Sequence, residues 1–225
     1  MKNTAAFYTP FSEIAVVGGT PYDSGKGANH LWRHGIRSQA IGISPRPSQE
    51  NELYQNPHLV KQKFDEKAGD DDFSEIIIYC NSLSFIANWR QLYPGRIYEL
   101  SAYYRSILEE ADLPKLAIIV AEENTQLNLK RMVMRDDICD PEDLHIFPRL
   151  QLISDLEAST EDQHYHLLKS TLKEYMNQGY TEILLGCTHL DHPDFASIPG
   201  LVVHQPGLQM LEEFIAEYNE HTAGK

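Results

Sequence analysis

Two cysteines carry the chemistry that this sequence offers. Cys80 follows Glu75-Ile76-Ile77-Ile78-Tyr79 and leads into Asn81-Ser82-Leu83; Cys187 follows Glu182-Ile183-Leu184-Leu185-Gly186 and leads into Thr188-His189-Leu190. A glutamate, an aliphatic run, one further residue, a cysteine, two polar residues and a leucine thus occur twice in the same order, about half the chain apart. Two thiols at matched places can form a two-base pair. A thiolate on one face of a carbon acid removes its proton, a thiol on the opposite face delivers one, and that carbon is inverted. The side chains beside the thiols, on Asn81, Ser82 and Thr188, are types that donate hydrogen bonds to a substrate carboxylate. A lone strand-end cysteine is usually a small buried hydrophobe. The matched partner and the polar neighbours favour chemistry here. Cys139 has neither: it lies in the acidic run Asp136-Asp137-Ile138-Cys139-Asp140, where carboxylates disfavour a thiolate, and is read as incidental.

The elements around the thiols follow from pattern. Each aliphatic run before a cysteine reads as a strand buried on both faces. In parallel α/β sheets, ligands bind at the carboxyl ends of strands. Ile14-Ala15-Val16-Val17 and Leu116-Ala117-Ile118-Ile119 form a second matched pair, at similar offsets upstream of the two cysteines. Two matched pairs point to a duplication. The expected fold is α/β, with two pseudo-symmetric Rossmann-like halves, largely parallel sheets and an active site at their interface. Residues 1–99 plus 205–225 would form the first half and 100–204 the second. Further strands are expected over 39–43, 144–147 and 201–203. Helices are expected over 48–66 (interrupted at Asn56-Pro57), 84–92, 101–111 with Ser101 as cap, 126–135, 161–178 ended by Gly179, and 208–218 packing on the first half.

Composition bounds the partners. A net charge of −14 over 225 residues argues against nucleic acid and anionic membrane, which need clustered Lys and Arg. No apolar run reaches the roughly 18 residues of a membrane span. Residues 1–13 lack the apolar core of a signal peptide, and three cysteines fit a reducing compartment, so a cytoplasmic location is expected. The loop Gly18 to Gly27 fails both phosphate-binding patterns: Thr20 stands where a P-loop needs Gly, and His30 where a dinucleotide fingerprint needs Gly. Cys187, His189 and His192, with Cys80, are zinc-ligand types at a spacing that matches no recognised site, so no metal is expected. His164 and His166 lie two apart on a helix and read as surface residues. Lys26 has no apolar surroundings in sequence and nothing else points to pyridoxal phosphate (PLP); no cofactor is expected.

Three motifs in one order span most of the chain: Asp23-Ser24-Gly25-Lys26-Gly27, Cys80-Asn81-Ser82 and Gly186-Cys187-Thr188-His189. In them the chain resembles the cofactor-independent aspartate/glutamate racemase superfamily, and looks most like glutamate racemase. The resemblance implies a PLP-independent isomerase that interconverts L- and D-glutamate, or aspartate, with a link to peptidoglycan precursors. It implies Cys80 and Cys187 as the two bases, Asp23 assisting proton transfer or orienting the ammonium, and His189 assisting Cys187. Ser24, Asn81, Ser82, Thr125 and Thr188 would hold a small acidic amino acid. The His after Cys-Thr favours glutamate, because aspartate-type members carry Glu there. A homodimer is a further implication. Asp23 has a second reading, as a cap of the helix that follows it. Departures from the family's pattern cluster near the expected pocket: Gly18-Gly19-Thr20-Pro21, Ile43-Ser44-Pro45-Arg46, Leu190-Asp191-His192-Pro193, and Glu122-Glu123-Asn124-Thr125, which keeps a Thr without the usual Gly-Thr pair. Two alternatives therefore stay open: superfamily chemistry on a different carbon acid, and a non-catalytic amino-acid-binding protein.

Overall fold

Aliphatic runs alternating with turn-bounded helices build two parallel sheets. The computed structural model describes residues 14–45, 51–69, 71–93, 95–195 and 198–223. The first sheet contains β1 (Ile14–Gly18), β2 (Gln39–Gly42), β3 (Glu75–Ile78) and β4 (Arg96–Glu99), interleaved with α1 (Pro21–Arg33), α2 (Asn51–Gln55), α3 (His58–Ala68), α4 (Asn81–Ile86) and α5 (Trp89–Leu92). After α6 (Ser101–Glu110), the second sheet contains β5 (Leu116–Val120), β6 (His145–Pro148), β7 (Glu182–Gly186) and β8 (Val202–His204). Its helices are α7 (Glu123–Arg135), α8 (Leu150–Glu157) and α9 (Glu161–Asn177), and α10 (Pro206–Ala223) closes the described chain. The strand orders are β2-β1-β3-β4 and β6-β5-β7-β8, with every pairing parallel. These are one topology built twice. The runs that precede Cys80 and Cys187 hold the same interior place in each sheet, with Val16 opposite Ile77 and Ile118 opposite Leu184.

The interior strands β1, β3, β5 and β7 are apolar on both sides because both sides are covered. Side chains alternate across each sheet. Ile14, Val16 and Ile77 join Ile118, Leu184 and the α10 residues Met210, Leu211 and Phe214 in one cluster shared by the two halves. Ala15, Val17, Ile76 and Ile78 face outward to Val60 and Phe64 of α3. Ala117, Ile119, Ile183 and Leu185 face outward to Leu168 and Leu172 of α9. Each Val, Leu, Ile, Met or Phe side chain among them stabilises the fold by about 1.5–3 kcal/mol when fully buried. Close packing of α1 on β1 depends on Gly27, where a Cβ would come within 2.8 Å of Val16 and 2.9 Å of Tyr79.

Several boundaries differ from those read in the sequence. β4 and α8 were not expected: Arg96-Ile97-Tyr98-Glu99 has a single aliphatic residue, and α8 is a short helix without a capping bond. The helix expected at 84–92 is two, because Ala87 is extended (φ −125°, ψ 145°). Ser101 does not cap α6; Leu100 holds that place without a side-chain bond. The chain turns helical at 123 rather than 126, and α10 runs five residues beyond the expected 218. α10 packs on α1 and also on α6 and β7, so it touches both halves. The start of the helix expected from 48 falls outside the described residues; from 51 it is two helices that meet at Asn56-Pro57, as expected. Gly179 ends α9 with a positive φ of 98°. Among the described residues no helix is long and apolar enough to cross a membrane.

Candidate active site

The carboxyl ends of the interior strands converge. Cys80 and Cys187 leave β3 and β7 in nearly the same extended conformation (φ −163°, ψ 126° and φ −151°, ψ 129°), and each starts a helical turn. Both are buried, and both line one cavity with Asp23, Asn81, Ser82 and Glu122. That cavity measures about 10 Å³, room for about one water. An amino acid therefore requires its walls to part.

Asp23 is not itself the cap that its second reading made it: it stands third in α1 and belongs to the capping box that Thr20 heads. Thr20 caps α1: its hydroxyl accepts from the Asp23 amide and the Asp23 carboxylate accepts from the Thr20 amide, both at 3.4 Å. This capping box uses Oδ2 and leaves Oδ1 to cross to the second half. There Oδ1 accepts from the Thr188 hydroxyl at 2.9 Å and lies 2.7 Å from His189 Nδ1. His189 Nε2 lies 2.7 Å from Glu157 Oε1, which also accepts from the Thr20 hydroxyl at 3.1 Å. A carboxylate only accepts, so a histidine between two of them carries a proton on each nitrogen. Burial by itself lowers the pKa of His189; the Asp23 carboxylate and Cys187 outweigh it and hold it well above the ordinary histidine range. The Tyr22 ring stacks on this imidazolium at 5.1 Å. Cys187 Sγ lies 3.4 Å from His189 Nδ1. Burial raises the pKa of the Cys187 thiol, and the adjacent imidazolium pulls it back.

The remaining residues singled out in the sequence divide. The Asn81 amide oxygen accepts from the Tyr104 hydroxyl at 2.7 Å. Ser82 and Thr125 hydroxyls meet at 3.2 Å, which ties α4 to α7 across the two halves. Ser24 turns its hydroxyl back to the carbonyls of Thr20 and Pro21 in its own helix. His192 lines a second cavity, of about 420 Å³, and not the one that holds the thiols. The zinc set weighed above is thus divided between two cavities. His164 corrects its surface reading: it is 5% exposed, with Nδ1 3.2 Å from the Tyr22 hydroxyl. Burial drives its pKa down to about 3, with Lys26 and His192 adding to the fall.

Three features were not among the site residues read in the sequence. Glu157 reaches His189 from the end of α8, with no motif around it. Lys26 braces the Cys187 turn, its ammonium donating to the carbonyls of Thr188 (3.2 Å) and His189 (2.9 Å). Burial lowers the Lys26 pKa against the pull of Asp191 and Asp23. Beneath it the Tyr79 hydroxyl donates to Asp191 Oδ2 at 2.8 Å. Burial pushes Asp191 up to about 7, against Lys26 and this hydrogen bond.

No protein-family model matches the chain, and no curated protein matches it in sequence. Solved structures do match in fold. The glutamate racemase from Francisella tularensis subsp. tularensis SCHU S4, in complex with D-glutamate, superposes with a TM-score of 0.60 at 15% identity, over 93% of this chain and 81% of that one. The aspartate racemase of Picrophilus torridus gives 0.61 at 12% identity, over 91% and 93%. An allantoin racemase from Pseudomonas fluorescens gives 0.52 at 10% identity, over 93% and 91%. The chain therefore has the fold of the aspartate/glutamate racemase superfamily.

Proposed function

We propose that this chain is a cofactor-independent racemase that inverts a small carbon acid by proton exchange between Cys80 and Cys187. One observation carries the reading: two thiols follow equivalent strands of two identically ordered sheets and line one cavity. In the step, one sulfur takes the carbon-bound proton as a thiolate and becomes a thiol. The opposite thiol gives its proton to the other face of the carbanion and becomes the thiolate. The reverse reaction exchanges the roles. The His189 imidazolium, held between Asp23 and Glu157, favours the Cys187 thiolate against the burial that opposes it. Glutamate, then aspartate, is the first pair to test, because the sequence motifs resemble glutamate racemase and like-folded proteins carry both names. A second reading, a different carbon acid, is favoured by the carboxyl group of Glu122 in the cavity wall.

Proton NMR of each substrate enantiomer in deuterated water tests the reaction. The wild type should lose the Cα–H signal and accumulate the other enantiomer. Cys80→Ser and Cys187→Ser should each abolish inversion, since a serine hydroxyl is a far weaker acid than a thiol and supplies no conjugate base near neutral pH. Wild-type turnover in both single variants would overturn the two-thiol mechanism.

A further inference from the structure

The cavity between the thiols presents a carboxyl group that the two-thiol reaction does not use. Glu122 is 9% exposed and lines the wall with Cys80, Asn81 and Cys187. Its backbone carbonyl starts α7, accepting from the amides of Thr125 (3.1 Å) and Gln126 (3.2 Å). Its side chain makes no capping bond, and Oε1 is buried without a hydrogen-bond partner among the described residues. The Asn81 amide nitrogen is in the same state in the same cavity, while its oxygen is held by Tyr104. One open acceptor and one open donor thus belong to side chains that line a space with room for about one water. An unsatisfied buried polar group is costly, so the pair defines what a ligand must supply: an N–H for Glu122 and a carbonyl oxygen for Asn81.

Charge points the same way. Neither Lys nor Arg is among the described residues lining this cavity, and the His189 nitrogens already face Asp23, Glu157 and Cys187. A ligand with two carboxylates would bring like charge to Glu122 in a nearly dry site. An ammonium would bury a full ion pair there, at a desolvation cost. An amide or ureide offers the N–H and the C=O together and remains neutral.

We propose that Glu122 is a specificity-determining residue that selects a carbon acid bearing an amide or ureide group in place of a second carboxylate. This rests on the two-thiol reading of the cavity. The test compares C–H exchange in deuterated water for glutamine, asparagine and a 5-substituted hydantoin with that for glutamate and aspartate, in the wild type and in Glu122→Gln. Thermal stabilisation by each compound is measured alongside. The wild type should exchange at least one N–H-bearing compound about tenfold faster than either dicarboxylate, as expected for one hydrogen bond to a charged group. Glu122→Gln keeps the side chain's size, loses the anionic acceptor and gains a donor. It should cut that preference about tenfold or reverse it. A wild type that prefers a dicarboxylate, with the ratio unchanged in Glu122→Gln, would overturn the role of Glu122 and leave the two-thiol reading intact. Absence of exchange, with stabilisation by the N–H-bearing compounds that Glu122→Gln abolishes, would do the reverse. Neither exchange nor selective stabilisation would sink both.

Discussion

Replacing Glu157 by glutamine isolates one charge beside the thiol of Cys187. The wild-type carboxylate lies 2.7 Å from His189 Nε2 and its side chain is 24% exposed. Glutamine is nearly isosteric and its amide oxygen can still accept from Nε2, so only the charge is lost. A hydrogen bond to a charged group contributes about 1.5–3 kcal/mol, and partial exposure places this one in the lower range, about 1–2 kcal/mol. Loss of that charge should lower the His189 pKa. The folded-state pKa of His189 lies above its unfolded value. Its contribution to stability is therefore complete below the ordinary histidine pKa and is lost as the pH rises through the folded value. Glu157→Gln should cost about 1–2 kcal/mol at pH 6, and progressively less as the pH is raised, in urea denaturation. NMR titration of the His189 ring, assigned with a His189→Gln control, should show the lowered midpoint. C–H exchange should slow at neutral pH, because a less basic His189 supports the Cys187 thiolate less. An unchanged His189 midpoint, with the same loss of stability at every pH, would refute the account of His189 as a cation held between two carboxylates.

Two other perturbations probe the turn that carries Cys187. Asp191 is pushed up to about 7, so the folded state holds its proton more tightly than the unfolded chain. This group's stabilisation is present below pH ~4 and is lost as the pH rises through about 7, a span of about 4 kcal/mol. Asp191→Asn should flatten that part of the stability–pH curve; an unaltered slope between pH 5 and 8 in urea denaturation would count against it. A Cβ at Gly207, in the first turn of α10, would collide with Asp191 Oδ2, the atom that accepts from Tyr79. Gly207→Ala should therefore lower stability by about 1–3 kcal/mol, and thermal unfolding at wild-type temperature would show that α10 gives way without cost.

The sequence by itself determined the sheet architecture and the placement of the thiols within it. Runs such as Ile76-Ile77-Ile78 and Ile183-Leu184-Leu185 are apolar at every position, which only a strand covered on both faces tolerates, and their repetition exposed the duplicated topology. Even within one turn the reading at α1 shifted by three residues: Thr20 is the cap and Asp23 its capping-box partner. What the sequence withheld depends on distance in space. Glu157 stands thirty-two residues from His189, and no periodicity records that the end of α8 meets the turn after β7. His164 seemed a surface residue because helical spacing gives the face of a helix and not what covers it; here Tyr22 of α1 does. Lys26 had no apolar neighbours in the chain, yet the fold closes Thr188, His189 and Asp191 around it. β4 and α8 were missed because each is four to eight residues long and is held by its neighbours, with little pattern of its own. Local pattern decides which segments become strands and helices, whereas burial and charge pairing between segments exist only once the two halves close on each other.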